Sequence, residues 1–237
     1  MIDIVVPLYN EEKELAKSVE TMIDFLSVTR FPYPYKITLA NNESTDGSWR
    51  ICQELARIYP LVRALDVGGK GKGLAIRTAW SKSDADVLAF MDVDLSSDLS
   101  FFKVLIEPVY SGVADIAIGN RLGKSSSIIS RKAMRKAASH IYNFAARAIL
   151  RTSFDDHQCG FKAMRKDKFD IISNSLTERG FFFDTELLAI SLRKGFKVVP
   201  IDIVWRDSED SKVALFSDSM KMFLDLLRLR GRLNRKI

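Results

Sequence analysis

Cysteine is scarce: Cys52 and Cys159 are the only two in 237 residues, far apart, with no CxxC and no histidine at ligand spacing. That pattern fits neither a disulfide framework nor a zinc site, and points to a reducing, cytosol-facing compartment. Long apolar runs are missing too, since no stretch approaches the roughly 18 uninterrupted apolar residues of a spanning helix. The chain opens directly into Ile2-Asp3-Ile4-Val5-Val6 without a basic leader, so no signal peptide is expected and any membrane is met from outside. There is no Ser/Gly/Pro linker and no internal repeat, which predicts one domain with appendages. Acidic residues are outnumbered 30 to 36, giving a net charge of +6. Such a balance suits an anionic partner, whether nucleic acid, a phosphorylated substrate or an anionic membrane.

What is present is an ordinary globular composition, 47% hydrophobic and 28% charged, which excludes disorder and collagen-like structure. Short β-branched runs alternate with stretches of helical period, the pattern of a mostly parallel sheet covered by helices. Strands are predicted near Ile2 to Val6, Tyr35 to Ala40, Val62 to Asp66, Asp86 to Met91, Asp115 to Ile118 and Val198 to Val204. Helices are predicted near Glu12 to Val28, Ser48 to Ile58, Gly71 to Ser83, Ser100 to Tyr110, Ser130 to Leu150, Asp184 to Lys194 and Ser217 to Arg230. Polar or glycine-containing segments follow the early strands: Pro7 to Glu11, Asn41 to Gly47, Gly68 to Gly73 and Asp92 to Asp94. In an open α/β sheet ligands bind at the carboxyl ends of the strands, so these four segments can converge on one crevice.

Asp92-Val93-Asp94 directly follows the apolar run Val87 to Met91. Two carboxylates two residues apart at a strand end can both reach a hard divalent cation that also holds phosphate oxygens. A solvated turn is the simpler reading of that motif alone, but Asp84, Asp86, Asp92, Asp94 and Asp98 crowd an otherwise basic chain. Close carboxylates repel unless something positive sits among them. Gly68 to Gly73 lacks P-loop spacing and follows the third strand, so it is neither a P-loop nor a dinucleotide fingerprint. It leaves a glycine-rich loop with Lys70 and Lys72 leading into a helix, whose amides and cations suit a diphosphate, or else a plain flexible loop.

Arg121 to Arg151 carries eight cations and no carboxylate. Met134, Ala137, Ile141, Phe144, Ala145 and Ala148 recur there at three- and four-residue steps, and Arg131, Arg135 and Ser139 share a side at steps of four. A basic solvated helix is one reading; the lack of acidic partners favours an external anion, and a lipid phosphate over a duplex. From Lys221 to Ile237 there are six cations and one acid, Asp225, with Met222, Phe223, Leu226, Leu227, Leu229 and Leu233 supplying an apolar side. That segment reads as a docked C-terminal helix or an interfacial one. His157, two residues from Cys159, reads as structural and not as half of a nucleophilic dyad, and Phe181 to Phe183 as core or membrane-facing surface.

The ordered set Pro7-x-Tyr9-Asn10-Glu11, Asn42-x-Ser44-Thr45-Asp46-Gly47, Gly71-Lys72-Gly73, Asp92-x-Asp94-Leu95, Gly119-x-Arg121, Asp156-x-Gln158-Cys159-Gly160-Phe161-Lys162 and Arg206-x-x-x-x-Ser211-Lys212 resembles the family 2 glycosyltransferases that charge polyprenyl phosphates, dolichyl-phosphate mannose synthases and glucosyltransferases among them. The resemblance implies a GT-A fold over 1–212, followed by a basic amphipathic helix over 213–237. It implies that Pro7, Tyr9, Glu11, Asn41, Asn42, Lys72 and Asp92 border the nucleotide sugar, and that Asp92 and Asp94 hold Mg²⁺ or Mn²⁺. It also places the lipid phosphate among Arg121, Arg131, Arg135, Ser139, Arg206 and Lys212, with Asp94, Arg121 and Arg135 as the catalytic set. The chain departs from the family in reading Asn41-Asn42-Glu43-Ser44 for the usual Asp-Asp-Gly-Ser, in Ser96 for a frequent Gln, and in lacking C-terminal spanning helices.

Chemistry adds its own argument for the acceptor. A hydroxyl needs a positioned base, whereas an ionised phosphate monoester is already a nucleophile, and no His or Glu stands out as that base. The expected reaction is therefore inverting transfer of a hexose to dolichyl or another polyprenyl phosphate at the cytoplasmic membrane face. The Gln158 to Lys162 segment resembles the glucosyltransferase branch of that family more than the mannose branch, which implies UDP-glucose over GDP-mannose. A partner protein supplying a membrane anchor fits this reading; nucleic acid is not expected, because it leaves Asp92 and Asp94 unexplained. The alternatives are a saccharide or protein hydroxyl acceptor, a nucleic-acid-binding module, and a catalytically idle scaffold.

Overall fold

A computed structural model of the chain describes residues 1–129, 133–206 and 215–236, with side chains outside 133–136, 215–220 and 236. In chain order the elements are β1 (Ile2–Leu8), α1 (Leu15–Val28), β2 (Tyr35–Asn41), α2 (Ser48–Ile58), β3 (Val62–Asp66), α3 (Lys72–Lys82), β4 (Val87–Met91), α4 (Phe102–Tyr110) and β5 (Ile116–Asn120). They continue with β6 (Ser127–Ile129), α5 (Ala133–Leu150), β7 (Phe161–Arg165), α6 (Lys166–Ile172), α7 (Phe183–Arg193), β8 (Val198–Asp202), β9 (Val204–Arg206) and α8 (Leu215–Lys236).

Seven strands form one sheet in the order β3-β2-β1-β4-β7-β5-β8, and β6 pairs with β9 beside it. All seven residues of β1 are buried, because helices cover both faces of the sheet and a β-branched run satisfies both at once. Alternation then sorts the side chains: Val5, Leu88 and Phe90 face one core with α3, α5, α7 and α8, while Ile4, Val6 and Met91 face the other with α1, α2 and α4. Leu226, Leu229 and Leu233 of α8 are buried in the first core.

The six predicted strands are present, but the sheet contains a seventh. β7 inserts antiparallel between β4 and β5, pairing Met91 with Phe161 and Ile118 with Lys162. Its start lies against the end of β4, which delivers residues 155–160 to the carboxyl edge of the sheet. Helix α6 and the small β6–β9 pair also go beyond the sequence reading.

His157 fastens this delivered segment. Its Nδ1 lies 2.8 Å from Asn143 Oδ1 on α5, its Nε2 lies 2.7 Å from Thr152 Oγ1, and its backbone N–H also donates to Asn143. Burial pushes the imidazole from 6.5 down to about 4, with Asp156 pulling the other way. In the unfolded chain it protonates near its ordinary value, so stability is intact above about 6.5 and declines as pH falls toward about 4. Urea unfolding across this window should show that decline in the native chain and a shallower one in His157→Gln. The substitution itself should cost about 1–3 kcal/mol at neutral pH.

Candidate active site

The segments following β1, β2 and β4 and the glycine-rich loop meet at the carboxyl edge of the sheet, as the sequence predicts. The Asn10 N–H donates to Ser44 Oγ and the Glu11 N–H to Ser48 Oγ, at 3.0 and 2.8 Å. Asn10 adopts a left-handed φ of 55°, the tight bend that carries the chain from β1 across to the β2 loop. Pro7 is buried inside β1, and Tyr9 lies beneath the Lys70 ammonium, 5.2 Å from its ring centroid. Asn41 and Asn42 are almost wholly buried and bind within the protein. Asn41 donates to Asp66 Oδ1 and accepts from the Ser44 N–H, while Asn42 Oδ1 accepts from the Gly71 N–H at 2.6 Å.

The glycine-rich loop departs from the diphosphate-cradle expectation. The Gly73 and Leu74 amides at the start of α3 donate to the carbonyls of Gly180 and Arg179, and the Gly71 amide is taken by Asn42. These amides are therefore committed to the protein. Glycine is required at 71 because φ is +133° and a Cβ there would overlap the Arg179 carbonyl. The loop exists to bring the chain before α7 against α3.

That contact places Lys72 between two carboxylates, 2.7 Å from Asp92 and 3.3 Å from Asp184. Asp184 in turn accepts from Lys162 at 2.5 Å, and Lys162 also donates to the carbonyls of His157 and Cys159. Lys162 and Asp184 are 0% and 2% exposed. Burial disfavours the Lys72 ammonium, yet Asp184 and Asp92 together hold it above its ordinary range. Asp92 sits on the floor of the crevice with its side chain 44% accessible. Enclosure by protein pushes its carboxyl upward against the pull of Lys72, and Asp94 and Asp184 add to the rise.

Arg121 is ion-paired inward. Its Nε and Nη2 bind the two oxygens of fully buried Asp156 at 2.6 and 2.9 Å, and its guanidinium lies over Trp205. Burial alone would raise the Asp156 carboxyl, but Arg121 holds it down at about 2. Such a bidentate pair fixes geometry as well as charge. Arg206 is exposed on β9, and its backbone N–H binds the Ser96 carbonyl, two residues beyond Asp94. Ser139 is half-buried on α5, whereas Arg131, Lys212 and the Arg135 side chain lie outside the described residues.

The donor set fits a small divalent cation. Asp94 is exposed and uses one oxygen to accept from the Ser96 N–H, while Asp92 and Asp94 repel each other. Among the described residues no group of three or more His, Cys, Asp or Glu is arranged to hold a metal. Two carboxylates, with the remaining positions left to water and substrate phosphate, is how Mg²⁺ and Mn²⁺ are commonly held.

Asp184 has no site role in the sequence reading, and Asp156, Gly160 and Lys162 enter only as motif residues. A local signal does exist at Asp184: an acid directly after three phenylalanines at a helix start is poised for burial, and a buried acid needs a cation. Gly160 is required because a Cβ there would overlap the Asp92 carboxylate. Asp184→Asn should cost about 3–5 kcal/mol in urea unfolding, since two buried lysines lose a shared counter-charge. Gly160→Ala should displace Asp92 and weaken Mn²⁺ binding, read by calorimetric titration.

Comparison with known proteins extends this geometry. The chain is 29% identical, over its whole length, to glycosyltransferase AglD of Haloferax volcanii, of which it spans 39%. It is 27% identical to the dolichyl-phosphate beta-glucosyltransferase of Saccharomyces cerevisiae, covering 97% of this chain and 74% of that one. Glucosyl-3-phosphoglycerate synthase from Mycobacterium tuberculosis in complex with UDP shares the fold, with a TM-score of 0.71 at 19% identity over 98% of this chain and 80% of that one. The same enzyme with Mn²⁺ and UDP-glucose gives 0.69 at 16% identity, covering 98% and 79%. The architecture is thus that of GT-A glycosyltransferases, and residues 3–172 match the model of glycosyl transferase family 2, the family to which this chain belongs.

Proposed function

We propose that the chain transfers glucose from UDP-glucose to dolichyl or another polyprenyl phosphate, with inversion, at the cytoplasmic face of a membrane. The observation that carries this reading is the pairing of the buried carboxylates. Asp156 and Asp184 are each held by arginine or lysine, and Asp92 by Lys72. Carboxylates so paired serve as counter-ions, which suits an acceptor that arrives already ionised and needs no base. Relatives named dolichyl-phosphate beta-glucosyltransferases, and fold neighbours that bind UDP-glucose, support the choice of sugar and acceptor.

In this mechanism Pro7, Tyr9, Glu11, Asn41 and Asn42 border the nucleoside. Asn41 and Asn42 do so by fixing the loop edges, Asn41 through Asp66 and the Ser44 N–H and Asn42 through the Gly71 N–H. Lys72, whose ammonium lies between Asp92 and Asp184, directs an N–H toward the diphosphate. Asp92 and Asp94 are the groups that would hold Mg²⁺ or Mn²⁺, which when bound neutralises charge on the departing diphosphate. Arg121, Arg131, Arg135, Ser139, Arg206 and Lys212 receive the acceptor phosphate. An acceptor phosphate oxygen forms the new bond to the anomeric carbon from the face opposite the diphosphate. The bond from that carbon to the UDP oxygen breaks with its electron pair, and UDP leaves. Direct displacement converts an α-linked donor into a β-linked product. Binding energy at the cationic segment offsets the repulsion between two anions brought into line.

The test is transfer of labelled glucose from UDP-glucose to polyprenyl phosphate, followed as label extracted into organic solvent. Label should appear with Mg²⁺ or Mn²⁺ and vanish with chelator, and GDP-mannose should give little. Asp94→Asn should lower turnover about 100-fold or more while the chain stays folded. Arg135→Ala should raise the KM for the lipid more than that for UDP-glucose. Label carried instead by a soluble saccharide at similar rates would overturn the acceptor assignment.

A further inference from the structure

Helices α5 and α8 pack against each other and share one core, into which Ala146 and Leu150 of the first and Leu226, Leu229 and Leu233 of the second are buried. Each therefore turns its opposite stripe outward. On α5 that stripe exposes Ile141 by 70% and Phe144 by 69%, spaced three residues apart on one face. On α8 it exposes Phe223 by 44%, Leu224 by 46% and Leu227 by 49%. Large apolar side chains clustered in this way on two adjoining helices mark an interaction surface.

The charge around them selects the partner. Arg228, Arg232 and Arg235 surround a shallow hollow of about 540 Å³ whose other walls are Leu227 and Gly231. The acid Asp225 is buried and paired with Arg228, and Arg232 is tied to Glu186, so no acid lies among the hollow's lining residues. Along α5 there is no carboxylate at all. Apolar stripes bordered by arginines, beside a hollow that no acid lines, match acyl chains below anionic headgroups, a layered chemistry that a soluble protein surface rarely offers. Among the described residues no helix is long and apolar enough to cross a membrane, so contact through this face would be interfacial.

We infer that the outward face of α5 and α8 docks on an anionic lipid bilayer. The inference rests on the proposed function only for its purpose: it would set the crevice beside the surface in which a lipid-linked acceptor lies. Gln158, in the segment that closes on Asp92, touches Met222 on the core-facing side of α8, so the helix that carries the docked face also adjoins the crevice segment. Helix α8 then serves both readings made from sequence, with one side on the core and the other on lipid.

Co-sedimentation of the full chain with phosphatidylcholine vesicles, with and without phosphatidylglycerol, tests this directly. Binding is expected only with phosphatidylglycerol and should weaken with salt. The double variant Phe144→Ser with Leu227→Ser should bind about tenfold more weakly or worse, with unchanged thermal unfolding and solution mass. Its transfer to detergent-dispersed polyprenyl phosphate should match the parent, while transfer to vesicle-borne acceptor falls. Absence of vesicle binding, or binding unaffected by the double variant, overturns the inference. A dimer in solution that the double variant dissociates also overturns it, because a second copy would then cover this face. Vesicle binding without transfer to any acceptor would refute the proposed reaction and leave the docking surface standing.

Discussion

Asp184 lies between two lysines, and the rest of the site is built around that shared charge. Lys162 comes from the antiparallel strand β7 and Lys72 from the start of α3, so a single carboxylate on α7 joins elements on either side of β4. Desolvating three charges is costly, and the return in stability over a well-packed apolar cluster is small. What the arrangement secures is position. Lys72 can reach Asp92 only if α3 begins where it does, and α3 begins there because Gly71 and Gly73 let residues 179 and 180 approach its first turn. The same loop is anchored from its other side, where the Thr177 and Glu178 amides donate to fully buried Glu186, which also holds Arg232 of α8. A chain of contacts thus runs from α8 through this loop to the first turn of α3 and the carboxylate at the end of β4.

The parts of this structure legible in the sequence are those whose cause is local. The burial of β1 follows from an uninterrupted apolar run, and the Asp92-Val93-Asp94 turn declares itself because an apolar strand precedes it. Strand β7 escaped because Lys162 and Arg165 interrupt the short run Phe161-Lys162-Ala163-Met164-Arg165, which is neither apolar throughout nor alternating, although Lys162 is in fact fully buried. A buried lysine is readable only once its distant partner Asp184 is known. The glycine-rich loop misled for the same reason. Lysines and glycines before a helix are the composition of an anion cradle, but the groups that occupy the Gly73 and Leu74 amides lie more than a hundred residues later in the chain, and Asn42, which takes the Gly71 amide, lies 29 residues earlier. Arg121 could be singled out as a site cation, yet its inward pair with Asp156 depends on how β7 delivers residues 155–160.

The distribution of cations resolves what the net charge of +6 means. Inside the molecule positive charge is matched: Lys36 with Asp3 and Asp84, Lys72 with Asp92 and Asp184, Lys162 with Asp184, Arg121 with Asp156. Burial demands this, because an unpaired ion in a low-dielectric interior would lose its charge or unfold its surroundings. The excess must therefore lie outside the core, and the sequence concentrates it in two acid-poor stretches, from Arg121 to Arg151 and from Lys221 onward. These are also the stretches that form α5 and most of α8 and expose Ile141, Phe144, Phe223, Leu224 and Leu227. Cations of the interior and cations of the α5 and α8 stretches are thus largely distinct, with Lys72 and Arg121 the two that are paired inward and also border the proposed ligands. Charge reversal at Arg235 bears on an external anion, while neutralising Asp184 bears on the protein's own geometry, and the two effects need not be confused in any experiment that measures both folding and binding.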